Sequence, residues 1–136
     1  MKKIFALCLV SMFVFVGCDK YEEGPKISLR TRTERVSNMW DYDKLEVANK
    51  DRTDEVLGAT MELQKDGDWN QRNGYGELVA LGNWEWEDDQ ETIRLNYEIP
   101  GETIEPLDWK IIKLEEHQLI VEYTFEDNYV YIEFGD

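Results

Sequence analysis

From residue 36 onward apolar and polar residues alternate with a period of two. The alternation is cleanest at Leu57, Ala59, Met61, Leu63, at Ile93, Leu95, Tyr97, Ile99, and at Leu119, Val121, Tyr123, Phe125, with Thr60, Glu62, Arg94, Glu98, Glu122 and Thr124 on the opposite faces. Such alternation marks strands with one buried and one wet face, which is the habit of antiparallel sheets and excludes a parallel one buried on both sides. The stretch Gly82 to Leu95 carries the logic compactly: Trp84 and Trp86 share a face, Glu85 takes the other, acidic residues turn the chain, and Ile93 and Leu95 resume the alternation. Eight strands are predicted, at about 39–48, 57–65, 68–76, 79–87, 92–99, 107–114, 119–126 and 129–135. Turn residues fall between them at Asp66-Gly67, Asp88-Asp89, Glu115-Glu116 and Asp127-Asn128. No segment has room for a long helix. Eight hairpin-linked strands without a second apolar layer remove their exposed edges by closing on themselves, so the expected fold is all-β: an eight-stranded antiparallel up-and-down β-barrel.

In such a meander, turns alternate between the two ends. The turns around Asp66, Asp88 and Glu115 are tight, whereas the other end has the longer loops Asn49 to Val56 and Pro100 to Pro106, which makes it the expected mouth. Trp40, Trp69, Trp86, Leu63 and Phe134 then gather at the closed end as a hydrophobic plug. The candidate ligand-binding residues at the mouth and lumen are Val47, Leu57, Tyr75, Ile99, Leu107, Trp109, Phe125 and Tyr129. An eight-stranded barrel is only just wide enough for its own side chains, so a filled core stands beside a cavity as the alternative. The third strand, with Asn70, Gln71, Arg72 and Asn73, has no clean apolar face: it either supplies polar groups that orient a ligand head or turns to solvent.

The first residues change the cellular setting. Lys2 and Lys3 precede an apolar run from Ile4 to Val16, then Gly17 and Cys18. Thirteen residues, all but Ser11 apolar, fall short of the roughly 18 to 20 that span a bilayer, so the run reads as a cleaved secretion signal. Phe15-Val16-Gly17-Cys18 resembles a bacterial lipobox, with Phe15 in place of the usual leucine. That resemblance implies lipidation of Cys18 as the first mature residue; a plain signal peptide with an incidental cysteine is the alternative. Cys8 leaves with the signal and Cys18 is capped, so no disulfide is expected. The expected organisation is a signal peptide over 1–17, a lipidated acidic and polar linker over 18–35, and the barrel over 36–136. Multiple acyl chains anchor a protein durably without spanning the membrane. The acidic cluster Asp19 to Glu23 resembles the export signal that carries some lipoproteins to the outer face of the outer membrane; an ordinary hydrophilic linker is the alternative.

Removing the first 17 of 136 residues leaves 119, enough for one core, with 13 basic against 30 acidic residues and a formal net charge of −17. That field makes nucleic acid an improbable partner and suits solubility, cations or basic proteins.

Trp40, Leu63 to Trp69 (LQKDGDW), Gly82 to Asp89 (GNWEWEDD) and Asp108 to Leu114 (DWKIIKL) together resemble the lipocalin-like domain of small Gram-negative lipoproteins. The likeness runs from residue 36 to 134, although Asn38-Met39-Trp40 lacks the glycine of the lipocalin Gly-x-Trp signature. It implies the barrel and a small apolar or amphipathic ligand.

Catalytic and metal patterns are weak. Asp66-Gly67-Asp68-Trp69-Asn70 with Glu77 imitates a calcium loop, but Gln71 stands where the sharp turn needs glycine, and Asp-Gly is the usual pair of a tight hairpin. His117 is the single histidine and has no thiol partner, so no metal or cofactor is expected. The mature serines, Ser28 and Ser37, precede or edge the barrel, which disfavours a serine triad. Three functions are therefore expected in descending order: a non-enzymatic, outer-membrane-anchored binding module, a protein-interaction scaffold with a filled barrel that docks through the loops 49–56 and 100–106, and a hydrolase using a carboxylate pair that nothing in the sequence singles out.

Overall fold

In a computed structural model of the chain, residues 30–87 and 91–136 are described. The expected signal peptide, Cys18 and the linker up to residue 29 lie outside the described residues, as does the turn tip at 88–90. The elements in chain order are a short helix α1 (Arg32–Val36), β1 (Met39–Val47), β2 (Lys50–Asp51), a 3-10 turn (Thr53–Val56), β3 (Thr60–Leu63), β4 (Asp68–Arg72), β5 (Leu78–Trp86), β6 (Thr92–Tyr97), β7 (Leu107–Leu114), β8 (Gln118–Phe125) and β9 (Asn128–Gly135). Every pairing is antiparallel: β1 pairs with β3, each strand from β3 to β8 pairs with the next, and β1 also pairs with β9, from Asp41 opposite Gly135 to Val47 opposite Val130. The sheet is thus a closed eight-stranded up-and-down barrel, with β2 a two-residue extension folded back on β1.

All eight predicted strands are present, and the differences lie at their ends. β3 starts at Thr60 because the 3-10 turn and Gly58, at φ +72°, hold the preceding residues out of the sheet. β4 ends at Arg72 because Asn73 closes a turn, its side-chain oxygen accepting from the N–H groups of Tyr75 and Glu77, both at 3.0 Å. The last hairpin turns on Glu126 and Asp127, both left-handed, one residue before the expected pair. Asp66 accepts from the N–H of Asp68 at 2.9 Å, and Gly67 has φ +97°, which makes this segment a tight hairpin. Bulges interrupt the ladders at Tyr42/Lys44, Gln71/Arg72 and Ile111/Lys113; such insertions bend strands and sharpen their twist, which helps a sheet close.

The segment read as linker ends, in the structure, in α1. Its N-terminus is a capping box: Glu34 N–H donates to Thr31 Oγ1 at 3.2 Å, and Thr31 N–H donates to Glu34 Oε2 at 2.8 Å. The Thr-x-x-Glu spacing was legible in the sequence, but five residues with one apolar anchor show no hydrophobic period. That anchor, Val36, is fully buried, and its carbonyl accepts the indole N–H of Trp40 at 2.9 Å. Trp86 donates to Thr33 Oγ1 at 3.0 Å, and Arg30 reaches Glu116 in the β7–β8 turn at 2.6 Å. α1 therefore caps the closed end, over a floor of Trp40, Leu63, Trp69, Leu114, Leu119 and Phe134, each at most 2% exposed.

Candidate functional site: the open half of the barrel

In a closed barrel an inward-facing side chain meets solvent only through the lumen, so its exposure reports whether the interior is filled. Inward positions follow from the register. Met61 faces the same way as its partner Gln71, Gln71 as Ala80, and Trp69 as Gly82 and Tyr97. Towards the closed end these positions are sealed: Leu63, Trp69, Trp84, Ile93, Leu95, Trp109, Ile111, Val121, Ile132 and Phe134 are all buried. Towards the mouth Met61 and Val130 are buried as well, but most positions are not. Tyr42, Leu45 and Val47 of β1, Gln71 of β4, Ala80 of β5, Tyr97 of β6, Leu107 of β7 and Tyr123 of β8 are all half-buried. The apolar ones pack against the core from above. The interior is sealed below and less completely covered above.

The step between the halves is aromatic. Tyr42 leans on Phe134, with ring centroids 4.7 Å apart. Tyr97 meets Trp69 edge-on at 5.0 Å, and Tyr123 lies nearly parallel to Trp109 at 6.4 Å. Each tyrosine thus rests its ring on an aromatic of the packed layer. Burial holds the phenols protonated: Tyr123 is pushed up to about 12, and Tyr42 and Tyr97 are raised, first by desolvation, with the other phenols adding to Tyr42 and Tyr97 to Tyr123. The tryptophans divide in the same way. Trp40, Trp69, Trp84 and Trp86 each donate their indole N–H, Trp69 to the carbonyls of Asn83 and Asn96 at 3.0 Å each and Trp84 to that of Gln64 at 2.8 Å. Trp109 Nε1 is buried with no partner. A buried donor left unpaired costs about 1–3 kcal/mol, so a native fold that keeps one invites a reason.

The eight candidate positions read from sequence separate into three groups. Val47, Leu107 and Trp109 face the lumen, Trp109 at its floor. Leu57 and Phe125 stand at the rim, 66% and 52% exposed. Leu57 lies in a cleft of about 390 Å³ shared with Asp54, Glu55, Asn73, Gly74 and Tyr75. Tyr75 is 91% exposed on a hairpin tip, Ile99 belongs to a cleft on the outer wall with Leu81, Glu98 and Pro100, and Tyr129 faces outward, its hydroxyl donating to Glu122 Oε2 at 2.5 Å. Tyr129 pairs with Thr124 on the wet face of β8, which puts it outside the lumen. The positions that sequence reasoning missed are Tyr42, Leu45, Ala80, Tyr97 and Tyr123. Tyr97 and Tyr123 had been recognised as buried-face residues; the overlooked signal was a polar tip on an aromatic at an inward position. Of the polar run Asn70 to Arg72 in β4, Gln71 alone faces in, since Asn70 and Arg72 pair with Glu62 and Thr60 on the outer face.

Away from the lumen, His117 is exposed and its Nδ1 lies 2.7 Å from Asp136 Oδ1. Asn38 Nδ2 donates to the other oxygen of that carboxylate, and these two bonds, Asn38 first, hold Asp136 below the usual carboxylate range. Among the described residues no three His, Cys, Asp or Glu side chains converge as metal ligands would. The chain matches no protein-family model, and comparison with curated proteins gives no significant match.

Proposed function

We propose that the chain is a lipid-anchored, non-enzymatic binding protein of the outer membrane whose lipocalin-like barrel holds a small apolar or amphipathic molecule in its open half. One observation carries this reading: eight inward residues of the mouth half, Tyr42, Tyr97 and Tyr123 among them, keep accessible surface around the buried Met61 and Val130, while nearly all those of the other half are sealed. A barrel built only as a scaffold has no need of that gradient, because larger inward side chains would fill it at a gain in stability. The position of α1 supports the orientation. Arg30 and Val36 sit at the closed end, so a tether from a lipid on Cys18 joins the barrel there and the mouth faces away from the membrane.

A second reading, a docking module for another protein, is favoured by an apolar strip on the outer wall, where Leu78, Val79 and Leu81 of β5 and Ile99 are all exposed. Native mass spectrometry of protein released gently from its own membrane separates the two. Carriage predicts a bound small molecule that is lost when Ala80→Trp fills the lumen. A ligand-free protein whose tryptophan fluorescence ignores amphiphiles, together with a stoichiometric protein partner lost on substitution of Leu78 and Leu81, would overturn carriage in favour of docking.

A further inference from the structure

The chemistry of the open half narrows what could occupy it. No charged side chain stands at an inward position of any of the eight strands, and none is buried anywhere among the described residues. The hydroxyls of Tyr42, Tyr97 and Tyr123 lie near enough for a charge on one to be felt by another, and no hydrogen bond contributes to the state of any of the three. Beside them the buried indole N–H of Trp109 has no acceptor, and Gln71 adds an amide to the same wall. Above this polar floor the wall turns apolar, through Leu45, Val47 and Leu107 to Phe125 at the rim. The loops of the mouth, residues 48–59, 73–77, 98–106 and 126–127, carry nine Asp and Glu against two basic residues, Lys50 and Arg52.

Resting on the carrier reading above, we propose that the lumen takes an uncharged amphiphile head-down, its acceptor oxygen received by Trp109 Nε1 and the three tyrosine hydroxyls, its hydrocarbon rising past Leu45, Val47 and Leu107. The alternatives fail on electrostatics. A carboxylate or phosphate head would pass an acidic collar and find no cation inside to offset its desolvation. A cationic head is drawn to the collar, but at the floor it meets no carboxylate and leaves the Trp109 donor unsatisfied, since an ammonium has no acceptor. An alcohol, amide or carbonyl head satisfies the indole and the phenols with no charge to bury, and neutral phenols can donate or accept as the head requires. The class therefore comprises neutral molecules with one oxygen-bearing end and an apolar body, and excludes free fatty acids.

The test compares three probes with one hydrocarbon chain and different heads: decanamide, decanoate and decyltrimethylammonium. Binding is read as the change in tryptophan fluorescence of the full chain held in lipid nanodiscs, with empty discs as reference. At neutral pH decanamide should bind about tenfold or more tighter than either ion. Tyr123→Phe and Tyr42→Phe keep the rings on Trp109 and Phe134, so the near-ultraviolet circular dichroism should hold. Each should weaken decanamide about three- to tenfold while leaving the ions unchanged. Equal or tighter binding of decanoate or the ammonium overturns the proposal, as does indifference of decanamide to both phenylalanine variants. If all three probes bind alike and Ala80→Trp abolishes binding, carriage stands and the neutral head is wrong. If none binds, the carrier reading fails and takes this one with it.

Discussion

Gly82 sits where the packed and open halves meet, and replacing it with alanine tests the close approach on which that boundary depends. A Cβ built there would come 1.7 Å from the carbonyl oxygen of Asn96 and 2.9 Å from Trp69 Nε1. The first of these is backbone of the neighbouring strand, so its relief comes only by prising β5 from β6, and the second is relieved by moving the indole. Moving the indole breaks its two 3.0 Å bonds to Asn83 and Asn96 and leaves a buried donor unpaired, at about 1–3 kcal/mol. The overpacking itself costs about 1–3 kcal/mol. Gly82→Ala should therefore destabilise the barrel by about 3–5 kcal/mol, a large share of the ~5–15 kcal/mol typical of a domain. Because Trp69 lies edge-on to Tyr97, the same shift should disturb the lumen floor, visible as a changed tryptophan signal in the near ultraviolet. Urea denaturation followed by fluorescence measures the stability. Gly76→Ala is the control: its φ is +79° but nothing lies within 4 Å of the added methyl, so it should cost only about 1 kcal/mol of left-handed strain. A Gly82→Ala barrel within about 1 kcal/mol of the parent and at unchanged m-value would refute the argument from close approach.

Three further outcomes are expected. Val36→Ala removes two fully buried methyl-sized groups from the plug and should cost about 2–3 kcal/mol; a loss under about 0.5 kcal/mol would show that α1 does not pack on the barrel. The phenols of Tyr42, Tyr97 and Tyr123 have raised folded values, so the stability they lend is complete below their unfolded value near 10 and falls as pH climbs above it, for Tyr123 through about 12. Phenolate absorbance should therefore show these rings titrating together with loss of the near-ultraviolet signal, and early titration with that signal intact would contradict their burial. Metabolic labelling with a palmitate analogue should mark the parent chain and fail on Cys18→Ser; label retained in the variant would move the anchor elsewhere.

The architecture was legible because period-two alternation is a direct consequence of strand geometry. Where a strand alternated cleanly, as at Ile93, Leu95 and Tyr97, both its existence and its buried face were right. What alternation could not supply was depth. Val47, Leu107 and Tyr129 look alike as large residues near a mouth, yet one residue of register decides which side of the wall each occupies, and Tyr129 fell outside. Depth also separates Tyr97 from Ile99, two residues apart on one strand pattern: the first crosses Trp69 in the lumen, while the second has left β6 for the outer cleft. α1 escaped for another reason. Its stability comes from docking Val36 over Trp40, a contact between residues whose sequence shows only a capping box.

The pairing of β1 with β9 sets the order in which this molecule can be made. Met39–Val47 has its partner in Asn128–Gly135, almost the whole domain away, so the ring cannot be completed until β9 is in place. Seven hairpin contacts can form locally and early, but they yield a curled ribbon with two bare edges, and the last ladder must then be closed against the entropy of that long loop. A chain truncated anywhere in β9 does not become a slightly smaller barrel. It stays a ribbon whose edge strands, β1 and β8, are free to pair with those of another copy, so loss of β9 should make the protein aggregate.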